Sequence, residues 1–214
     1  MHERAFGLGG LVLWPAVITL VISVVRLAGE LSQWSPLYFS RAEGGGAALI
    51  GIVWLVPIFG IYFAWKLATV NRGGAPGRVL GMAGLGLLVL VAGVVLVQLL
   101  TSNMVVSIVV FGVLAIVAIV VVRSGSAELF SLLLAYAFAA RIPLVVIYFL
   151  AFALGWDTHY SAVPADFPLS NWFAQWLVLG VLPQLTFWVA FTVVIGSLFG
   201  GLTLLVVGKK NRTA

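Results

Sequence analysis

The 214-residue chain predicts an all-α fold, a polytopic transmembrane helix bundle of six spans with both termini on the cytoplasmic side. Three observations predict it. First, 63% of the residues are hydrophobic and 8% charged, where soluble domains carry roughly 25% charged residues. Surface of that character has no water-soluble packing, so its solvent is lipid. Second, apolar runs long enough to cross a ~30 Å hydrocarbon core follow one another with short polar breaks. Third, the charges sort by side once the spans are drawn.

The first span, about 7–31, is too long for a secretory signal and lacks a small-residue cleavage site at the right distance, so it reads as uncleaved. The second, 46–68, runs into the basic, turn-rich loop Asn71–Arg78. The third and fourth, 79–100 and 104–122, are nearly pure Leu, Val and Ile and meet at the tight turn Thr101–Asn103. The fourth is expected to face lipid. The fifth, 129–155, follows a polar loop in which Ser124 and Ser126 are candidate caps. The sixth is 184–208.

The apolar stretch from Asn171 to Gly208 is too long for one crossing, since a single helix would reach ~57 Å. Pro183–Gln184 divides it, and about 171–182 is expected as a separate short helix at the outer face. The alternative is one long, tilted, kinked helix. The aromatic segments Ser32–Gly46 and Trp156–Ser170 are expected to pack as an outer cap.

With the N-terminus inside, Arg4, Lys66, Arg72, Arg78, Arg123, Lys209, Lys210 and Arg212 flank the cytoplasmic face. Glu30, Glu43, Asp157 and Asp166 fall outside, as the positive-inside rule leads one to expect. Trp34, Trp156, Trp172 and Trp176 mark the outer interface and Trp65 the inner. The expected location is an integral one, in a bacterial cytoplasmic (inner) membrane. The net charge of +5 is accounted for by topology and does not point to nucleic acid.

Composition narrows the chemistry. With no cysteine there are no disulfides or thiolate sites, and with only His2 and His159 a bis-histidine haem has no ligands. No lysine lies deep inside a span, Lys66 standing at the cytoplasmic end of the second, which argues against a retinal Schiff base. No cofactor and no metal is expected.

The polar interior carries the functional expectation. Thr19, Ser23, Arg26, Glu30 and Gln33 recur at spacings of 4, 3, 4 and 3 and share one face of the first helix. In lipid such a face turns inward, toward other helices or a water-filled cavity. Arg26 and Glu30, one turn apart, can pair. Arg141 stands alone in an apolar run, ~20 Å along the helix from Glu128 at helical rise, too deep to snorkel fully. Pro143 loosens the turn near Ala139, so Arg141 has either freed carbonyls or an anion to satisfy it.

Arg26, Glu30, Arg141, Thr19 and Ser23 are therefore the candidate ligand-binding residues, on helices one and five expected to adjoin. Asp157 and His159 form a second candidate site at the outer face, where Glu30 or Glu43 would complete a carboxylate–histidine set. Gly196 and Gly200, with Gly81, Gly84, Gly86 and Gly93, are small-residue contact surfaces for packing within the chain or between copies.

Three functions remain open. One is a small transporter or channel-like protein for an anionic or small polar ligand. Another is a membrane-embedded enzyme acting on a phospholipid or isoprenoid phosphate. The third is an accessory subunit whose charges orient helices or hold lipid. The partners expected are membrane lipids and an anionic small molecule or lipid headgroup.

Overall fold

The computed structural model describes residues 8–46 and 48–210. His2, Arg4 and Arg212 lie outside the described residues, and nothing is described of the side chains of Lys209 and Lys210. Among the described residues the fold is all helical. The helices are α1 (Leu8–Leu31), α2 (Leu55–Thr69), α3 (Pro76–Leu100), α4 (Met104–Arg123) and α5 (Ala127–Leu154). After them come α6 (Trp172–Gln175), a π-helical turn (Trp176–Val181), α7 (Leu182–Leu185) and α8 (Phe187–Lys210).

Local signals set the boundaries. Pro76 occupies the first turn of α3, where its missing N–H costs nothing. The Asn103 side chain caps α4 by accepting from Val106 N at 3.1 Å. Of the two serines preceding α5, Ser126 is the cap, accepting from Leu129 N at 3.3 Å. Gly155 ends α5 in the left-handed region at φ 62°, which reverses the chain back over the bundle.

Five segments are long and apolar enough to cross a membrane: Gly9–Leu31, Pro76–Leu100, Met104–Arg123, Ala127–Leu154 and Trp172–Val207. Their burial is inverted relative to a soluble protein. Leu99 and Val206 are 78% and 71% exposed while Thr19 and Glu30 are fully buried. Apolar side chains outside and polar ones inside is the arrangement lipid requires. The chain is an integral membrane protein.

Two expectations change. The second span, drawn at 46–68, is helical only over the 15 residues of α2, ~22 Å of rise. Residues 48–54 run in turns instead. Three successive glycines with positive φ, Gly44, Gly45 and Gly46, carry the chain into this segment in conformations other residues rarely adopt. Gln33 also leaves the polar face of α1. The helix ends at Leu31, and Gln33 is exposed at φ 55°.

From Trp172 onward, helical turns continue through the π-turn to Leu185 with Pro183 and Gln184 inside them, so the break expected at Pro183–Gln184 falls instead at Thr186 (φ −113°, ψ −76°), before α8. Asn171 caps their start, accepting from Phe173 N and Ala174 N.

The bundle packs around α8, which contacts α2, α3, α4 and α5. Gly60 of α2 crosses Gly196 of α8 so closely that a Cβ on Gly60 would lie 2.8 Å from Gly196 Cα. Gly196 and Gly200 also receive Leu133 and Leu129 of α5. These small residues are used inside the chain, whereas Gly81 and Gly84 face open space. Helices α1 and α5 adjoin, tied by Thr19 Oγ1 and Tyr136 Oη at 2.9 Å, with Phe59 and Phe63 of α2 edge-on to the Tyr136 ring.

One end of the bundle gathers the start of α1, the α2–α3 loop, the start of α5 and the end of α8. It holds the Arg72–Glu128 pair at 3.5 Å, and Lys66 lies over the Trp65 ring. The opposite end carries the segments 32–54 and 155–171. There Phe39 covers Gly29 of α1, and Thr158, His159 and Tyr160 are buried. From the first aromatic segment Phe39 packs on α1 while Trp34, Leu37 and Tyr38 are exposed, so the cap is built mainly from the second.

Candidate functional site

Beneath the cap lies a cavity of about 120 Å³. It is lined by Ser23 and Arg26 of α1, Gly51 and Ile52 of the non-helical segment, and Arg141 and Tyr148 of α5. His159 and Tyr160 of the cap, Gln184 of α7 and Trp188 of α8 complete it. At about 30 Å³ of liquid volume per water, it has room for a few waters or one small anion. Residues 51–53, whose backbone is not helical, line it.

Glu30 organises the wall next to the cap. It is fully buried, and its carboxylate accepts three hydrogen bonds. Arg26 Nε donates to Oε1 at 2.8 Å, His159 Nδ1 lies 2.6 Å from the same oxygen, and the His159 backbone N–H donates to Oε2 at 2.9 Å. Arg26 Nη2 also donates to Gly45 O at 3.0 Å. One guanidinium thus joins α1 to the glycine turn, and one carboxylate joins α1 to the cap. His159 reaches Glu30 because Gly155 turns the chain and Thr158 N closes a tight turn on Trp156 O. Burial pushes the His159 imidazole below its usual pKa, and its bond to Glu30 opposes that. Burial likewise raises the Tyr160 phenol.

Arg141 forms the inner wall. It is 3% exposed. Nη1 donates to Gln184 Oε1 at 3.2 Å, and the guanidinium lies 4.9 Å from the Trp188 ring centroid. Gln184 Nε2 donates in turn to Tyr148 Oη at 3.4 Å. Arg141 Nε has no hydrogen-bond partner among the described residues, and no carboxylate there lies within ion-pair distance of it. Its recorded bond runs across to α7 rather than to the turn loosened by Pro143. The π-turn before α7 widens the helix there and sets the phase at which Gln184 and Trp188 follow.

The structure brings Ser23, Arg26 and Arg141 to the cavity wall, with Glu30 just behind it. Thr19 lies deeper, on Tyr136 and on Pro15 O at 2.8 Å. The outer pair separates. His159 joins Glu30, whereas Asp157 is exposed and pairs with Arg41. Among the described residues no cluster of three or more His, Asp or Glu is arranged to hold a metal.

Gln184, Trp188, Tyr148 and Tyr160 were not singled out in the sequence. Tyr148 had a usable signal, lying two turns beyond Arg141 on the same face of α5. Gln184 is the one amide in its apolar stretch between Gln175 and Asn211. No family model, curated protein or solved structure matches this chain.

Proposed function

We propose that the protein is a small membrane transporter or channel-like protein for an anionic ligand, bound in the cavity at Arg141. A single observation carries this reading: Arg141 is a buried cation on the cavity wall with its Nε–H unpartnered and no carboxylate to balance it among the described residues. Arg26 is neutralised by Glu30, so the pocket keeps a net positive charge from Arg141. An isolated buried charge costs several kcal/mol unless something compensates it, and an anion in the cavity supplies the compensating charge.

In this reading the chain crosses a bacterial inner membrane six times, N-in and C-in, with Lys66, Arg72, Arg78 and Arg123 at the cytoplasmic face. The second crossing is completed by the non-helical segment before α2, and the turns from Trp172 to Leu185 lie toward the outer face. The cavity then opens outward beneath the cap.

The test is a thermal-unfolding screen of the detergent-purified chain against nitrate, sulfate, formate and phosphate. A ligand bound only to the folded state stabilises it in proportion to ln(1 + [L]/Kd). At least one anion should raise Tm with concentration, and Arg141→Gln should abolish the rise. Equal responses in wild type and variant would defeat the proposal.

The Glu30–His159 pair favours a second reading, an enzyme in which His159 acts as general base on a lipid phosphate held by Arg141. Turnover of phospholipid or polyprenyl phosphate by the purified chain, lost in His159→Gln, would favour it over transport.

A further inference from the structure

We infer that Glu30 and His159 form a proton site linked to the anion pocket, so that proton and anion bind, and cross, together. The inference rests on the anion reading of Arg141.

The argument begins with the histidine tautomer. A carboxylate only accepts hydrogen bonds. With Nδ1 2.6 Å from Glu30 Oε1, that nitrogen carries the hydrogen. When the ring is neutral, Nε2 then keeps its lone pair, on a ring that lines the cavity. In this form the histidine offers an anion no donor and no charge. Protonation at Nε2 turns the lone pair into an N–H and the ring into a cation, while Glu30 behind it holds the imidazolium through Nδ1–H. Only a proton from solvent is gained. With one monovalent anion bound, the pocket's net charge is unchanged.

The groups around the ring set the direction of the linkage. From α1 it meets Glu30, which favours the imidazolium, and Arg26, which opposes it. From α5 Arg141 and Tyr148 share the cavity. On its own segment Tyr160 lies with its ring centroid 3.8 Å away, while Asp157 is occupied by Arg41. The 43–46 turn brings Gly45 against the ring, with Glu43 exposed. Gln184 and Trp188 add no charge. Burial and Arg26 hold the ring neutral when the pocket is empty, and an anion reverses that balance. Binding free energies are reciprocal, so whatever factor the anion adds to proton affinity, the proton adds to anion affinity. Typical couplings of this kind are roughly 5–150-fold.

The experiment is titration calorimetry of the full chain in detergent with sodium nitrate, sulfate and formate, which do not titrate in the range used. It runs from about pH 5.5 to 8.5, bracketing the usual histidine pKa, in two buffers of different ionisation enthalpy. Affinity should strengthen as pH falls, by up to about 10-fold per unit inside the linkage window. Heats in the two buffers should report proton uptake approaching one per anion. His159→Gln, which keeps the backbone N–H on Glu30, should bind at the wild type's high-pH affinity throughout. Should that variant fail to fold, proton uptake by the wild type still decides. Binding lost in Arg141→Gln but equal at both ends of the pH range overturns the proton linkage and leaves the anion site standing, as does full pH dependence in His159→Gln. No binding of any of the three anions overturns both.

Discussion

Replacing Glu30 by Gln keeps the side chain's shape and removes its charge. The carboxylate takes two donors on Oε1, from Arg26 and His159 Nδ1, and one on Oε2, from His159 N. An amide has one acceptor oxygen, so its NH2 must confront at least one of these donors. A buried donor left unpaired costs about 1–3 kcal/mol. Arg26 loses its counter-charge, and removing one partner of a buried pair costs about 3–5 kcal/mol. The Arg26 side chain is 13% exposed and keeps its bond to Gly45 O, which places the total near the lower end, at about 3 kcal/mol. For a chain of this size each kcal/mol moves Tm by about 2–4 °C. Thermal unfolding of detergent-purified Glu30→Gln should therefore show a loss of about 6–12 °C. Adding Arg26→Gln should restore part of it, because the two residues are coupled. A Tm within about 2 °C of wild type would refute the idea that an ionised carboxylate ties α1 to the cap.

Other consequences can be checked separately. Arg141→Lys keeps the charge but loses the planar group that lies over Trp188 and reaches Gln184. Anion affinity measured by calorimetry should fall by about 10-fold or more, since lysine does not replace arginine at a stacked site. Gly60→Ala forces a methyl into the Gly196 backbone. It should lower stability by about 1–3 kcal/mol in a denaturation experiment. In anion-free buffer, His159 has a folded pKa depressed by burial. The stability it contributes is fully present above about pH 6.5 and is lost as pH falls through the folded value. Tm should be flat above neutrality and decline in acid, with the histidine part of the decline missing in His159→Gln.

Much of the bundle was legible because lipid imposes simple rules. The helical character, the Ser126 cap and the inward stripe Thr19–Ser23–Arg26–Glu30 follow from helical periodicity and from the cost of polar groups in hydrocarbon. The stripe was overextended at Gln33 because periodicity does not announce that a helix has ended. Residues 48–54 read as span because hydropathy is blind to whether an apolar backbone is helical. The three glycines were the available warning. Glu30 and His159 are far apart in sequence, and they meet only because a left-handed Gly155 folds the cap back over α1. Gln184 reaches Arg141 from a segment whose π-turn shifts the helical phase, so a count of residues by 3.6 does not predict the pairing.

The most direct test of the central claim is a crystal structure of the protein soaked in bromide, whose anomalous signal distinguishes it from water. The account predicts a bromide peak in the cavity beside the Arg141 guanidinium, absent in Arg141→Gln crystals. Bromide confined to exposed arginines such as Arg72, with the cavity holding none, would contradict it.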